Sequence, residues 1–147
     1  MTQVIEFLET YGISKPRITE LLSKQIIILP VEKKEIKGSL FLETIDFQKR
    51  LREKEINVDY IYKDKQDFTF LAFHATGNEI AIFVLQNVVF PILIQVLSAW
   101  IIVKYIKENK KNANLKIKIY VKEDEKVSLK EFEGSAEHVL KALKKLE

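Results

Sequence analysis

The stretch IAIFVLQNVVFPILIQVLSAWIIVKYIK, Ile80 to Lys107, constrains what this chain can fold into more than any other. Ile80 to Val103 exceeds the roughly 20 mostly apolar residues that cross a bilayer. Asparagine, proline, two glutamines and a serine interrupt it, and charged, strand-like sequence flanks it on both sides. As a span it would have Trp100 and Tyr105 at one interface, followed by Lys104, Lys107, Lys110 and Lys111 as a basic flank. That orientation places two halves of one sheet on opposite sides of the membrane, and a re-entrant turn at Pro91 would need protein to shield its backbone. As a soluble element it predicts one long helix over 79–108, roughly 40 Å at 1.5 Å per residue, kinked near Pro91. Asn87, Pro91, Gln95 and Ser98 form one narrow polar stripe, and the rest of the cylinder is apolar. A helix on a sheet needs an apolar sector of roughly 100°. This one offers more, so part of it is expected to be covered by a partner. The interface expected from that imbalance is Asn87, Phe90, Pro91, Leu93, Ile94, Gln95, Val96 and Trp100.

The remainder of the 147 residues reads as one domain-sized chain. Ser14 caps a short helix after Gly12 has stopped the first, which makes residues 1–24 a helical hairpin extension. Residues 25–147 form an α+β domain. QIIILPV is a strand, and Ser39 caps a helix running to Glu55. INVDYIYK and FTFLAFHA are strands, then comes the long helix. LKIKIYVK and VSLKEF form a hairpin around EDEK, and Ser135 opens a last helix. The order β-α-β-β-α-β is that of a ferredoxin-like core, with an added C-terminal strand and helix.

Nothing in the chain spells out a reaction. It has no cysteine and no glycine-rich phosphate loop. Its carboxylates sit among lysines on solvated faces, and neither His74 nor His138 has a ligand partner at motif spacing. No catalytic residue, cofactor or metal is therefore expected. The start of the chain lacks the basic and apolar pattern of a secretory signal, which favours the cytoplasm. The segment GISKPRITELL has the outline of a helix-turn-helix, with Lys15, Arg17 and Thr19 opening a recognition helix. Glu6, Glu9 and Glu20 would repel phosphate there, which argues against nucleic acid and for a helical hairpin that caps the sheet or contacts another protein.

From NVVFPILIQVLSAWIIVKYIK to LKIKIYVKEDEKVSLKEFEGSAEHVLKALKKL the chain resembles the effector-associated constant component family of bacterial conflict systems. Trp100 and Lys104 stand at the positions where that family ends an apolar helix with a tryptophan and a basic residue. The turn EDEK lacks the glycine often found there, and the N-terminal helices look like additions. The resemblance implies a small non-enzymatic protein acting beside a separate effector enzyme in antiviral defence. The residues and the resemblance together favour a cytoplasmic adaptor or accessory component that binds an effector or its own copy through residues 80–105. A membrane-associated or membrane-inserting effector using the same helix is the alternative, and a DNA-binding regulator a further one.

Overall fold

The computed structural model describes residues 2–31, 39–41, 43–62, 69–71 and 78–147. In chain order the elements are α1 (Thr2–Glu9), α2 (Lys15–Leu21), β1 (Ile26–Leu29), β2 (Ser39–Phe41), α3 (Glu43–Glu53) and β3 (Val58–Tyr60). Then follow β4 (Thr69–Leu71), β5 (Asn78–Val84), α4 (Phe90–Ile101), β6 (Asn114–Glu123), β7 (Lys126–Ser135) and α5 (Ala136–Lys144). This is a mixed α+β fold built on a five-stranded sheet of order β3-β1-β5-β6-β7, with β2 and β4 pairing separately.

The ferredoxin-like arrangement is not what forms. There, each helix-linked pair of strands is split by an antiparallel strand between them. Here β1 and β3, joined through α3, are direct parallel neighbours, and so are β5 and β6, joined through α4. The two β-α-β units meet back to back along the antiparallel β1–β5 seam, with Ile28 opposite Ile82.

The reason lies in the stretch that reads as the start of a long helix. Residues 78–84 are a strand at the centre of the sheet. Ile80, Ile82 and Val84 lie in the core on one face, and Ala81, Phe83 and Leu85 in the core on the other. A strand buried on both faces is a continuous apolar run and has no alternation to reveal it. The helix then begins only at Phe90, after a 3₁₀ turn at Asn87–Val89. Pro91 lies in its first turn, where a missing amide costs nothing, so it starts the helix and does not kink it. A π-helical turn, Ile102–Ile106, extends the far end. Asn87–Ile106 is about 30 Å long, a length the sheet can underlie.

Helices α3, α4 and α5 share one core with the first sheet face, where Phe47, Leu51, Leu93, Leu97, Trp100, Val139 and Leu143 meet Ile26, Ile82, Ile117 and Ile119. Trp100 is enclosed edge-on between Phe47 and Tyr105, at centroid distances of 6.0 and 5.7 Å. The extra residue per turn in the π segment shifts the helix phase, and Tyr105 is brought inward against that indole.

The N-terminal helical hairpin caps the sheet. Val4, Leu8, Ile18 and Leu21 share a second core with Ile27, Leu29, Ala81, Phe83 and Leu85. α1 and α2 are thus the third layer of the same fold, and without them β5 would have an uncovered apolar face. Gly12 does end α1, at φ +73° with its amide bonded to Glu9 O, and Ser14 caps α2 through Arg17 N. Ser39 does not cap a helix: it opens β2, and α3 starts at Glu43.

Candidate interaction surface

α4 runs between α3 and α5, and its sequence FPILIQVLSAWI contains no charged residue. Seven of its twelve residues are buried: Leu93, Ile94, Val96, Leu97, Ser98, Trp100 and Ile101. Four of the eight expected interface residues, Leu93, Ile94, Val96 and Trp100, are therefore core of the monomer, with Leu93, Ile94 and Trp100 at 0% exposure. The expected excess of apolar girth is absent because β5 has taken the first part of the run into the sheet, and α3 and α5 flank the rest.

The other expected residues are placed differently. Asn87, Pro91 and Gln95 are exposed, and Phe90 is half-buried. The expected stripe continues through Ala99, which is exposed, while Ser98 turns inward and is buried. Val88, 75% exposed, lies at the head of the ridge, and Ile92, Ile102, Val103 and Ile106 are half-buried along it. Asn87 fixes the head of this ridge by donating its side-chain amide to Lys122 O at 3.1 Å.

Charges begin at the borders of the ridge. A groove of about 290 Å³ between α3 and α4 is lined by Arg50, Glu53, Lys54, Gln95, Val96 and Ala99. Asp46 accepts from Arg50 Nε at 3.4 Å and lies 3.5 Å from Lys104 Nζ, which ties α3 to the end of the long helix. On the other side α5 exposes Lys144 and Lys141, the latter 3.9 Å from Glu137 Oε1. The uncharged +4 spacing from Asn87 to Gln95 was legible in the sequence. The charged border was not, because the sheet is what sets α3 and α5 beside α4.

Lys15 and Thr19 are exposed on α2, but Arg17 is 8% exposed and committed elsewhere. Its Nη2 donates to Tyr60 O (2.9 Å), Tyr62 O (3.1 Å) and Asp59 Oδ2 (3.2 Å), and its Nη1 to Glu20 Oε2 (3.0 Å). The guanidinium clamps α2 to the end of β3 and is not presented to a DNA groove. A seven-residue α2 with Ile18 and Leu21 in the core lies against the sheet as a covering element. Burial beside this clamp, partly offset by Arg52 and reinforced by Asp59, pushes the Tyr60 phenol up to about 12.

His138 is exposed on α5, and its backbone amide is capped by Ser135 Oγ at 3.1 Å. His74 lies outside the described residues. Among the described residues, no three His, Cys, Asp or Glu side chains converge as metal ligands. By length and composition alone, Asn87–Ile106 could cross a membrane, with mean hydropathy 2.0. Half of that window is buried inside the fold. No protein-family model matches the chain, nor does any curated protein or solved structure match it significantly.

Proposed function

We propose that this protein is a non-enzymatic, cytoplasmic interaction domain, an adaptor or accessory component, that binds another protein through the outward ridge of α4. One observation carries the reading. A solvent-facing helix ordinarily shows charges on its outer side. Here Asn87, Val88, Pro91, Gln95 and Ala99 face outward with no charge among them, while charges of both signs, Arg50, Glu53 and Lys54 on one side and Glu137 and Lys141 on the other, stand on or just beyond the neighbouring helices. Depletion of charge at the centre with charge at the rim is the composition of a protein interface. The buried residues Leu93, Ile94, Val96 and Trp100 act behind that surface as its support. The defence role, with an effector enzyme as the partner, rests on the resemblance of the second half of the chain.

Membrane association is the competing reading, because of the hydropathy of Asn87–Ile106. Only one large aliphatic side chain, Val88, is strongly exposed on the ridge, and its centre is an amide. Insertion would require Trp100 and its neighbours to leave the core. A photoreactive benzophenone side chain placed at Gln95 in cells is expected to yield a discrete protein adduct that Ala99→Arg abolishes. The same probe at Lys126 should yield none. Adducts to lipid alone, or the same adducts from both positions, would defeat the proposal.

A further inference from the structure

We infer that the outer edge of β7 takes an extended segment of another protein as a sixth strand, one that sets basic side chains opposite Glu131 and Glu133. This surface is separate from the α4 ridge, and neither depends on the other. The sheet has two edges, β3 and β7. The β3 edge is short and closed: the Tyr60 amide donates to Asp59 Oδ1 at 2.8 Å, and its carbonyl accepts from Arg17 Nη2 at 2.9 Å. β7 is ten residues long and pairs with β6 along its whole length. In an antiparallel strand the N–H and C=O of one residue point to the same side, and the side alternates along the chain. Val127 donates its amide to Gln3 Oε1 on α1, so the odd-numbered residues of β7 face away from β6. Gln3 closes that end, and Lys126 lies beyond it. Ser135, which caps α5 through His138 N, ends the strand at the other. Between them Leu129, Glu131 and Glu133 are exposed, and each offers a donor and an acceptor outward. Among the described residues, nothing bonds to these main-chain groups on that side. Their spacing is that of a paired strand, which is what an added strand reads.

A second copy of this chain does not fit that edge. Two copies related by a twofold axis pair antiparallel and set odd residues opposite odd ones. An axis at residue 131 or 133 places a glutamate opposite itself, one at 132 places Glu131 opposite Glu133, and one at 130 places Lys130 opposite itself. Like charges directly opposite each other oppose pairing. An axis at 128 or 129 needs the Val127 amide, which Gln3 already holds. The side chains instead select a different strand. On the α1 side of the sheet, Glu131 and Glu133 lie 3.3 and 3.6 Å from the one Lys116 Nζ, while Lys118 is held by Glu79 at 3.5 Å. Two exposed carboxylates sharing one ammonium leave negative charge at the edge, and the exposed Leu129 adds an apolar position beside them. On the other face Lys130 is exposed and Phe132 half-buried. The fitting segment therefore reads basic, apolar, basic, acidic, aliphatic against residues 133 to 129.

The test uses the full isotope-labelled chain and a capped peptide of sequence threonine–lysine–valine–lysine–glutamate–valine–threonine. One analogue has both lysines replaced by glutamate. Another is N-methylated at the two lysines and the last valine, whose amides would face β7. Amide NMR is expected to show the parent peptide shifting Leu129, Glu131 and Glu133 and slowing their exchange, with saturation below about 1 mM. The N-methylated peptide should do neither. The glutamate analogue should bind at least about tenfold more weakly at low salt, with the gap closing as salt screens it. Glu131→Pro removes an amide that β6 does not use, so it should abolish binding while the chain stays folded. If that variant unfolds, the N-methylated peptide makes the same test from the other strand. Glu131→Lys with Glu133→Lys should reverse the preference between the two charged peptides, and Ala99→Arg on α4 should change nothing. Failure to saturate, an equal response to the N-methylated peptide, or shifts centred elsewhere would overturn strand addition at β7. A preference unmoved by the charge reversal would overturn the basic partner. Dimerisation of the chain that Glu131→Pro abolishes would assign the edge to a second copy and overturn the inference.

Discussion

Leu93→Lys is expected to unfold the isolated chain or to destabilise it by more than about 4 kcal/mol. Leu93 has no exposure and sits in the main core between the sheet and α4. Removing it forfeits about 1.5–3 kcal/mol of burial, and the introduced ammonium must be desolvated or force the helix outward. A domain of this size has a total stability of only about 5–15 kcal/mol. Val96→Lys should cost less, roughly 2–3 kcal/mol, because Val96 also lines the α3–α4 groove and a lysine there can reach water along it. Gln95→Lys should stay within about 0.5 kcal/mol. Urea unfolding followed by Trp100 fluorescence separates the three. If Leu93→Lys kept the stability of the parent and broke only an oligomer, residue 93 would belong to an interface.

The second large effect is expected at Arg17. Arg17→Met should cost roughly 3 kcal/mol, near the lower end for breaking a buried ion pair. Its loss leaves the carbonyls of Tyr60 and Tyr62 without their charged donor and Asp59 without its cation. Asp59 is partly exposed and can rehydrate, which limits the penalty. Glu20 lies near the surface and adds little. Arg17→Lys should recover only part, since a single ammonium cannot follow the planar fork across α2 and β3. Thermal melts of the three proteins supply the comparison. A stability unchanged by Arg17→Met would show that the guanidinium is not the clamp and would reopen its use at a nucleic-acid surface.

Local signals in the chain proved legible where a single residue decides the backbone. Gly12 stops α1, Ser14 caps α2, and Ser135 caps α5. The alternation of Leu115, Ile117, Ile119 and Val121 appears as a strand with that face buried, paired along its whole length with β7. What the chain concealed was the point at which one apolar run changes from strand to helix. Ile80 to Leu85 must be apolar on both sides because α1 and α2 cover one face and α3 to α5 the other. A residue pattern without alternation fits a buried helix equally well. That one misassignment lengthened the helix, displaced the sheet order and created the apparent surplus of apolar surface. On the candidate surface, Asn87, Pro91 and Gln95 were recognisable from their +4 spacing. Ala99 and the charged border were not, since the border depends on which helices the sheet sets beside α4. The role of Arg17 was hidden for a related reason: a lone arginine in a helix looks available until the strand it clamps is placed next to it.

Hydrogen exchange on the detergent-free monomer tests the central claim most directly, that the apolar run divides into a central strand and a helix enclosed by their own chain. The amides of Ile80–Val84 and of Ile94–Ile101 should exchange only through global unfolding, with protection independent of protein concentration. Rapid exchange through Ile80–Val84, or protection that appears only with detergent, lipid or rising concentration, would contradict it.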